Sequence, residues 1–197
     1  MRIAVFYFGG YHASWEDILK WVTSAKMQEP NVDFTGYPWP AGVVSWPAES
    51  VVKGSEKLIK SAVADIEGCR ADLIYIVGHS SGCAIANAVD KRLQNVTKSV
   101  VLVALDGFTP DAEQLKRAST QVWGAMCDGQ PSKNFPGKAG GRRHIYQVPA
   151  KNCKELWPLH FVLVNAAARD KLVTGTSNGY DNCQANLIWL PHVVYLR

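Results

Sequence analysis

Short runs of continuously apolar residues constrain this chain more than any other feature. Ile3 to Phe8 is apolar at every position and stops at Gly9-Gly10. Residues 72 to 77 form a second strongly apolar run, and residues 99 to 105 a third that ends at Asp106-Gly107. A strand that wets one face alternates apolar and polar residues, whereas an unbroken run is expected where both faces are covered. Strands are therefore expected at residues 3–8, 32–37, 72–77, 99–105, 121–126 and 143–148.

Helical patterns fill the gaps. Ser14 opens the first, with Asp17 at N3 in a shortened capping box and Trp15, Ile18, Leu19 and Val22 at helical spacing. Glu29-Pro30 ends it. Residues 38–49 read as a Trp- and Pro-rich loop. Ser55 is expected to cap a helix with Leu58, Ile59, Ala62, Val63 and Ile66 on one face, stopped by Gly68. Another helix follows Gly82 through Ala84, Ile85, Val89 and Leu93, and Thr109-Pro110 starts a fourth that runs to about Ala118. Residues 129–142 read as a loop, 161–168 as a helix after Pro158, and the tail from Thr174 is weakly patterned. There is no repeat and no linker, so residues 1–197 read as one domain. Alternating strands and helices imply a three-layer α/β/α architecture with a mainly parallel sheet of about six strands. Ligands of such sheets bind beyond the carboxyl ends of the strands.

Composition removes several function classes. The net charge is +4 over 197 residues and no Lys/Arg run exceeds two, so neither nucleic acid nor a membrane surface is an expected partner. No window of 18 apolar residues suggests a transmembrane helix, and the first apolar run is too short for a signal peptide. Cys69, Cys83, Cys127, Cys153 and Cys183 are widely spaced without a CxxC pair, which fits thiols in a reducing cytoplasm rather than a zinc or disulfide framework. Asn95-Val96-Thr97 matches a glycosylation sequon that matters only in a secreted protein. With no GxxxxGK[ST] and no GxGxxG, a phosphate-cradling loop is not expected; no cofactor is expected, and the cysteine spacing gives no reason to expect a metal.

The chemical signal is Gly78-His79-Ser80-Ser81-Gly82, a G-x-S-x-G between a buried strand and a helix. A serine on so sharp a turn needs small residues two before and two after it. The turn lifts Oγ clear of the sheet, and the Ser81 amide then lies at a helix N-terminus, where it would stabilise an oxyanion.

With this motif in this context the chain resembles the α/β-hydrolases, and within them the thioesterase branch. The resemblance spans roughly residues 3 to 165: a strand ending in glycines, the serine elbow, an acid after the next strand and a histidine after the last. It implies that the family's first two strands are missing, because Met1 directly precedes the strand that the family counts third. The outer edge of that strand is then a candidate dimer seam, unless the C-terminal tail covers it.

Ser80 needs a histidine to take its proton and a carboxylate to orient that histidine. The family order Ser, acid, His points to His160, and Leu159-His160-Phe161-Val162-Leu163 resembles the thioesterase pattern; His192 is the reserve. His79 adjoins the nucleophile and is not expected to fold back to it. Asp106 and Asp128 both end strands. Asp106, 26 residues after Ser80 (106 − 80), is the preferred acid and Asp128 the alternative. The oxyanion hole implied by the resemblance takes one amide from Ser81 and one from Gly10 or Tyr11, in the loop after the first strand.

Tyr37-Pro38-Trp39-Pro40, Trp46-Pro47, Trp123, Trp157 and Phe161 are candidates for an apolar acyl pocket. The stretch from Phe108 to Ser119 is too short for a lid, which argues against interfacial lipase action and for a small, accessible ester or thioester. The expected activity is hydrolysis of a thioester or carboxylic ester through an acyl-enzyme. The rivals are a carboxylesterase or lipase-like enzyme, an inactive binding module on the same fold, and acyl transfer to an acceptor other than water.

Overall fold

A computed structural model of the chain describes residues 1–93, 96–127, 130–131, 142–148 and 160. The strands are β1 (Ile3–Phe8), β2 (Val32–Tyr37), β3 (Leu73–His79), β4 (Ser99–Leu105), β5 (Thr120–Cys127), β6 (Gln130–Pro131) and β7 (Arg142–Val148). The helices are α1 (Trp15–Gln28), α2 (Ala48–Gly54), α3 (Glu56–Gly68), α4 (Gly82–Arg92) and α5 (Ala112–Lys116). Six strands run parallel in the order β2-β1-β3-β4-β5-β7, and the two-residue β6 joins β5 antiparallel.

The unbroken apolar runs are explained by which side each residue faces. Ile3, Val5 and Tyr7 of β1, Leu73, Tyr75 and Val77 of β3, and Val101, Val103 and Leu105 of β4 pack in one cluster with Ile18 and Trp21 of α1. Ala4, Phe6, Phe8, Ile74, Ile76 and Leu102 point the other way, onto Val51, Ile59, Ala62, Ile66, Ile85 and Val89 of α2, α3 and α4. Two covered faces require two apolar sets along one strand. Trp21 stacks on Tyr7 with ring centroids 4.0 Å apart, and both are fully buried. Each such side chain contributes about 1.5–3 kcal/mol of transfer free energy.

α1 begins as its sequence predicts. Ser14 Oγ accepts from the Asp17 amide at 3.2 Å, and Asp17 accepts from the Ser14 amide at 2.8 Å. Three local readings need correction. The expected loop over 38–49 holds the first two residues of α2, which Pro47 precedes. Ser55 is not a side-chain cap: it sits buried at the corner between α2 and α3, and its amide closes α2 onto the Val51 carbonyl at 2.9 Å. α5 starts at Ala112 rather than Thr109, because Asp111 and Gln114 form a reciprocal capping box.

The expected seam is also corrected. β1 is paired on both sides, by β2 and β3, so it presents no edge; β2 carries the outer edge among the described residues. The helix expected over 161–168 lies outside the described residues. No helix among those described is long and apolar enough to cross a membrane.

Candidate active site

The turn after β3 is where the sheet presents Ser80. β3 ends at His79, Ser80 has φ 53°, and α4 begins at Gly82. A non-glycine residue in the left-handed region costs of order 1–3 kcal/mol and persists only where its surroundings enforce it. Here the Ser80 amide donates to the Leu105 carbonyl at 3.0 Å, and the Ser80 carbonyl accepts from the Cys83 amide at 3.1 Å. The flanking glycines are sterically required: a Cβ at Gly78 would lie 2.6 Å from Cys83 Cα, and one at Gly82 would lie 2.5 Å from the Gly9 carbonyl oxygen. Gly107 is a third such position that the motif did not reveal. A Cβ there would lie 2.7 Å from the Ser80 carbonyl carbon and 2.5 Å from Cys83 Sγ. Its signal was present in Asp106-Gly107, which local reading takes only for a turn.

Asp106 stands one residue past β4, with φ 44° and full burial. Its amide donates to the Trp123 carbonyl at 2.8 Å, which ties it to β5. His12, after β1, has φ 64°. The three positive-φ non-glycine residues among those described thus follow the carboxyl ends of β1, β3 and β4. Strain of this kind gathers at functional sites.

His160 is buried, and its Nδ1–H donates to Asp106 Oδ2 at 2.5 Å. The two residues are 54 apart in sequence. A proton on Nδ1 facing the carboxylate fixes the tautomer that leaves the Nε2 lone pair for basic work. The structure therefore brings Asp106 and His160 together. Ser80 Oγ makes no hydrogen bond to His160; such bonds are often long before a substrate is bound. Asp128, the alternative acid, lies outside the described residues, as does His192.

His79 was underestimated by sequence reasoning. Its ring lies 4.7 Å from the His160 ring, and its Nε2 donates to the His160 main-chain oxygen at 2.8 Å. Burial, and secondarily the neighbouring His160, hold its pKa well below the usual histidine range, so it is neutral. Cys83, beneath the turn, donates Sγ–H to the Gly78 carbonyl at 3.2 Å, and burial raises its thiol pKa, so it stays protonated and is no rival nucleophile.

The two loops beside the turn differ in what they offer. The Ser81 and Tyr11 amides meet no acceptor among the described residues, whereas the Gly10 carbonyl accepts from Ala13 at 2.9 Å. A cavity of about 420 Å³ opens between residues 11–14 and 39–44, with Tyr11, His12, Trp39 and Pro40 among its walls and, among the described residues, no Asp, Glu, Lys or Arg. Of the expected pocket aromatics, Trp39 and Pro40 line it. Trp46 is instead exposed and stacks on Phe108 at 5.1 Å. Tyr37 packs on Phe8 and donates its hydroxyl to Asp65, and Trp123 is buried on the α1 side of the sheet. Trp157 and Phe161 lie outside the described residues. No group of three or more metal-ligating side chains is assembled among the described residues.

No family model matches the chain. No curated protein matches it either. Among solved structures it is similar to Aspergillus fumigatus lipase B, with a TM-score of 0.50 and 11% identity over 92% of this chain. It spans 54% of that lipase's length. It is also similar to ClbQ from the colibactin NRPS/PKS pathway (TM-score 0.47, 10% identity, 98% of this chain and 100% of that one). A third similar structure is the peroxisomal alpha-beta-hydrolase Lpx1 of Saccharomyces cerevisiae (TM-score 0.42, 12% identity, 100% of this chain and 85% of that one).

Proposed function

On the premise that the chain carries the α/β-hydrolase fold, we propose that it is a single-domain serine hydrolase acting on a thioester or carboxylic ester. The observation that carries this reading is the Asp106–His160 hydrogen bond between two buried residues. The residues flanking Asp106 touch a serine held at positive φ at the carboxyl end of β3: the Leu105 carbonyl accepts from the Ser80 amide, and Gly107 packs against the Ser80 carbonyl.

Ser80 Oγ attacks the acyl carbonyl while His160 Nε2 takes its proton. Asp106 holds the imidazole in the required tautomer and stabilises the imidazolium that forms. The developing oxyanion is held by the amides of Ser81 and of Tyr11, with Gly10 as the alternative to Tyr11. His160 returns the proton to the leaving alcohol or thiol. Water, deprotonated by the same base, then attacks the acyl-enzyme, and His160 returns that proton to Ser80 Oγ as the acid leaves.

The uncharged walls beside Tyr11 suit a neutral acyl or alkyl group. A carrier bearing phosphates would call for Lys or Arg there. Neither nucleic acid nor a membrane has a role in this reaction, which belongs in a reducing cytoplasm.

The test is covalent labelling by a fluorophosphonate probe, followed by intact mass, for wild type, Ser80→Ala and His160→Ala. Labelling of wild type alone is the expected result. Folded wild-type protein that stays unlabelled would turn the reading toward a binding module. Parallel turnover of short nitrophenyl esters and acyl-coenzyme A thioesters then identifies the bond, with the nitrophenyl esters expected to turn over faster.

A further inference from the structure

We propose that His79 is a positioning residue, which fixes His160 against the nucleophile's turn through the hydrogen bond from its Nε2 to the His160 main-chain oxygen. The inference rests on the triad reading given above. A hydrogen bond at Nδ1 holds the imidazole at one point only. The ring can still swing about that bond, and such a swing carries Nε2 away from Ser80. The second hold acts on the main chain of the same residue, at 2.8 Å, so the two together set direction as well as place.

Both holds come from one rigid corner. His79 pairs with Leu105 in the β3–β4 ladder, and Leu105 precedes Asp106. The Leu105 carbonyl also accepts from the Ser80 amide at 3.0 Å. One peptide bond separates the nucleophile from the residue that anchors its base. Any drift of the sheet therefore moves nucleophile, acid and base together.

The chemistry explains the choice of histidine. The main-chain oxygen only accepts, so the anchor must donate. It must also stay uncharged, because His160 becomes an imidazolium during the reaction and the two rings lie 4.7 Å apart. A lysine or arginine here would oppose that charge at close range. A buried neutral imidazole supplies the donor without the charge.

The experiment compares His79→Phe, which keeps the bulk and loses the donor, with His79→Gln, which keeps a neutral N–H at similar reach. Fluorophosphonate labelling rates, kcat and KM on the ester substrate, and the downfield NMR proton held between His160 and Asp106 are measured. His79→Phe should label about 10²-fold more slowly, the loss expected of a base misplaced by about 1 Å, with kcat reduced and KM retained. It should also broaden the downfield proton, while His79→Gln stays within about tenfold of wild type. Wild-type labelling and an unchanged proton in His79→Phe would overturn the proposal.

Should His79→Phe fail to fold, His79→Asn, too short to reach the oxygen, takes its place. Equal rates for Asn and Gln would then overturn the proposal. Wild-type protein that shows the downfield proton but does not label refutes the hydrolase reading instead, and the proton in the variants alone then decides the role of His79.

Discussion

Replacing Gly82 with alanine tests how closely the serine turn is packed against the loop after β1. A Cβ at residue 82 would lie 2.5 Å from the Gly9 carbonyl oxygen and 3.0 Å from its carbon, and would also strike the Phe8 carbonyl oxygen. Ordinary contact begins at 3.4 Å, so the two must separate by 3.4 − 2.5, or 0.9 Å. Every atom struck is backbone, and no rotamer change relieves the clash. Phe8 is held by Tyr37 of β2 and Gly78 of β3, so relief requires the start of α4 to back away from β1 and residues 9–11 to move with respect to the Ser81 amide. Overpacking of this kind costs about 1–3 kcal/mol, or about 2–12 °C in Tm for a chain of this size. Displacing one oxyanion donor by nearly 1 Å should slow fluorophosphonate labelling about 10²-fold. Gly68→Ala is the control: its Cβ meets nothing within 4 Å at the end of α3, so it should be neutral or stabilising by up to about 0.5–1 kcal/mol. Thermal unfolding and labelling rates report the two effects separately. A Gly82→Ala protein that melts and labels like wild type would refute the contact argument. One that loses stability but labels normally would remove the post-β1 loop from the oxyanion hole.

Two further predictions concern the buried acid and the second histidine. Asp106→Asn keeps the size of the side chain but reverses the preferred tautomer of His160, so kcat should fall about 10⁴-fold with the fold intact by circular dichroism; near-normal turnover would transfer the acid's role to Asp128. His79 binds its proton more weakly when folded than unfolded, so its contribution to stability is present above the unfolded pKa of about 6.5 and is lost as pH falls. The unfolding free energy from urea titrations should therefore fall below that pH by up to about 1.4 kcal/mol per pH unit for this group. The slope should flatten in His79→Gln, and an unchanged slope would place the acid sensitivity in other groups.

How much of this was legible beforehand follows from the range of each interaction. β1, β2 and β4 occupy the residues expected of them, because runs such as Val101 to Leu105 state their own burial. Ser14 and Asp17 state their cap in a four-residue window. The errors cluster where a local signal had a competitor. Ser55 does hold the N-cap position of α3, but it also closes α2, and its hydroxyl makes no capping bond. Thr109-Pro110 resembled a helix start, but Asp111 and Gln114 satisfied each other two residues later. Trp123 resembled a pocket wall, yet its side of β5 faces α1.

The sequence by itself determined the alternation of strands and helices, the parallel sheet that follows from it, and the place of Ser80 on a glycine-flanked turn. Each depends on neighbours within a few residues and on which side chains water rejects. Only the tertiary structure decided that Asp106 meets His160 across 54 residues, that Gly107 lies under the Ser80 carbonyl, and that His79 reaches the main chain of His160. Those pairings depend on the register of β3 against β4 and on where the chain returns to the sheet. A hydrogen bond between residues far apart leaves no mark on the local pattern of either.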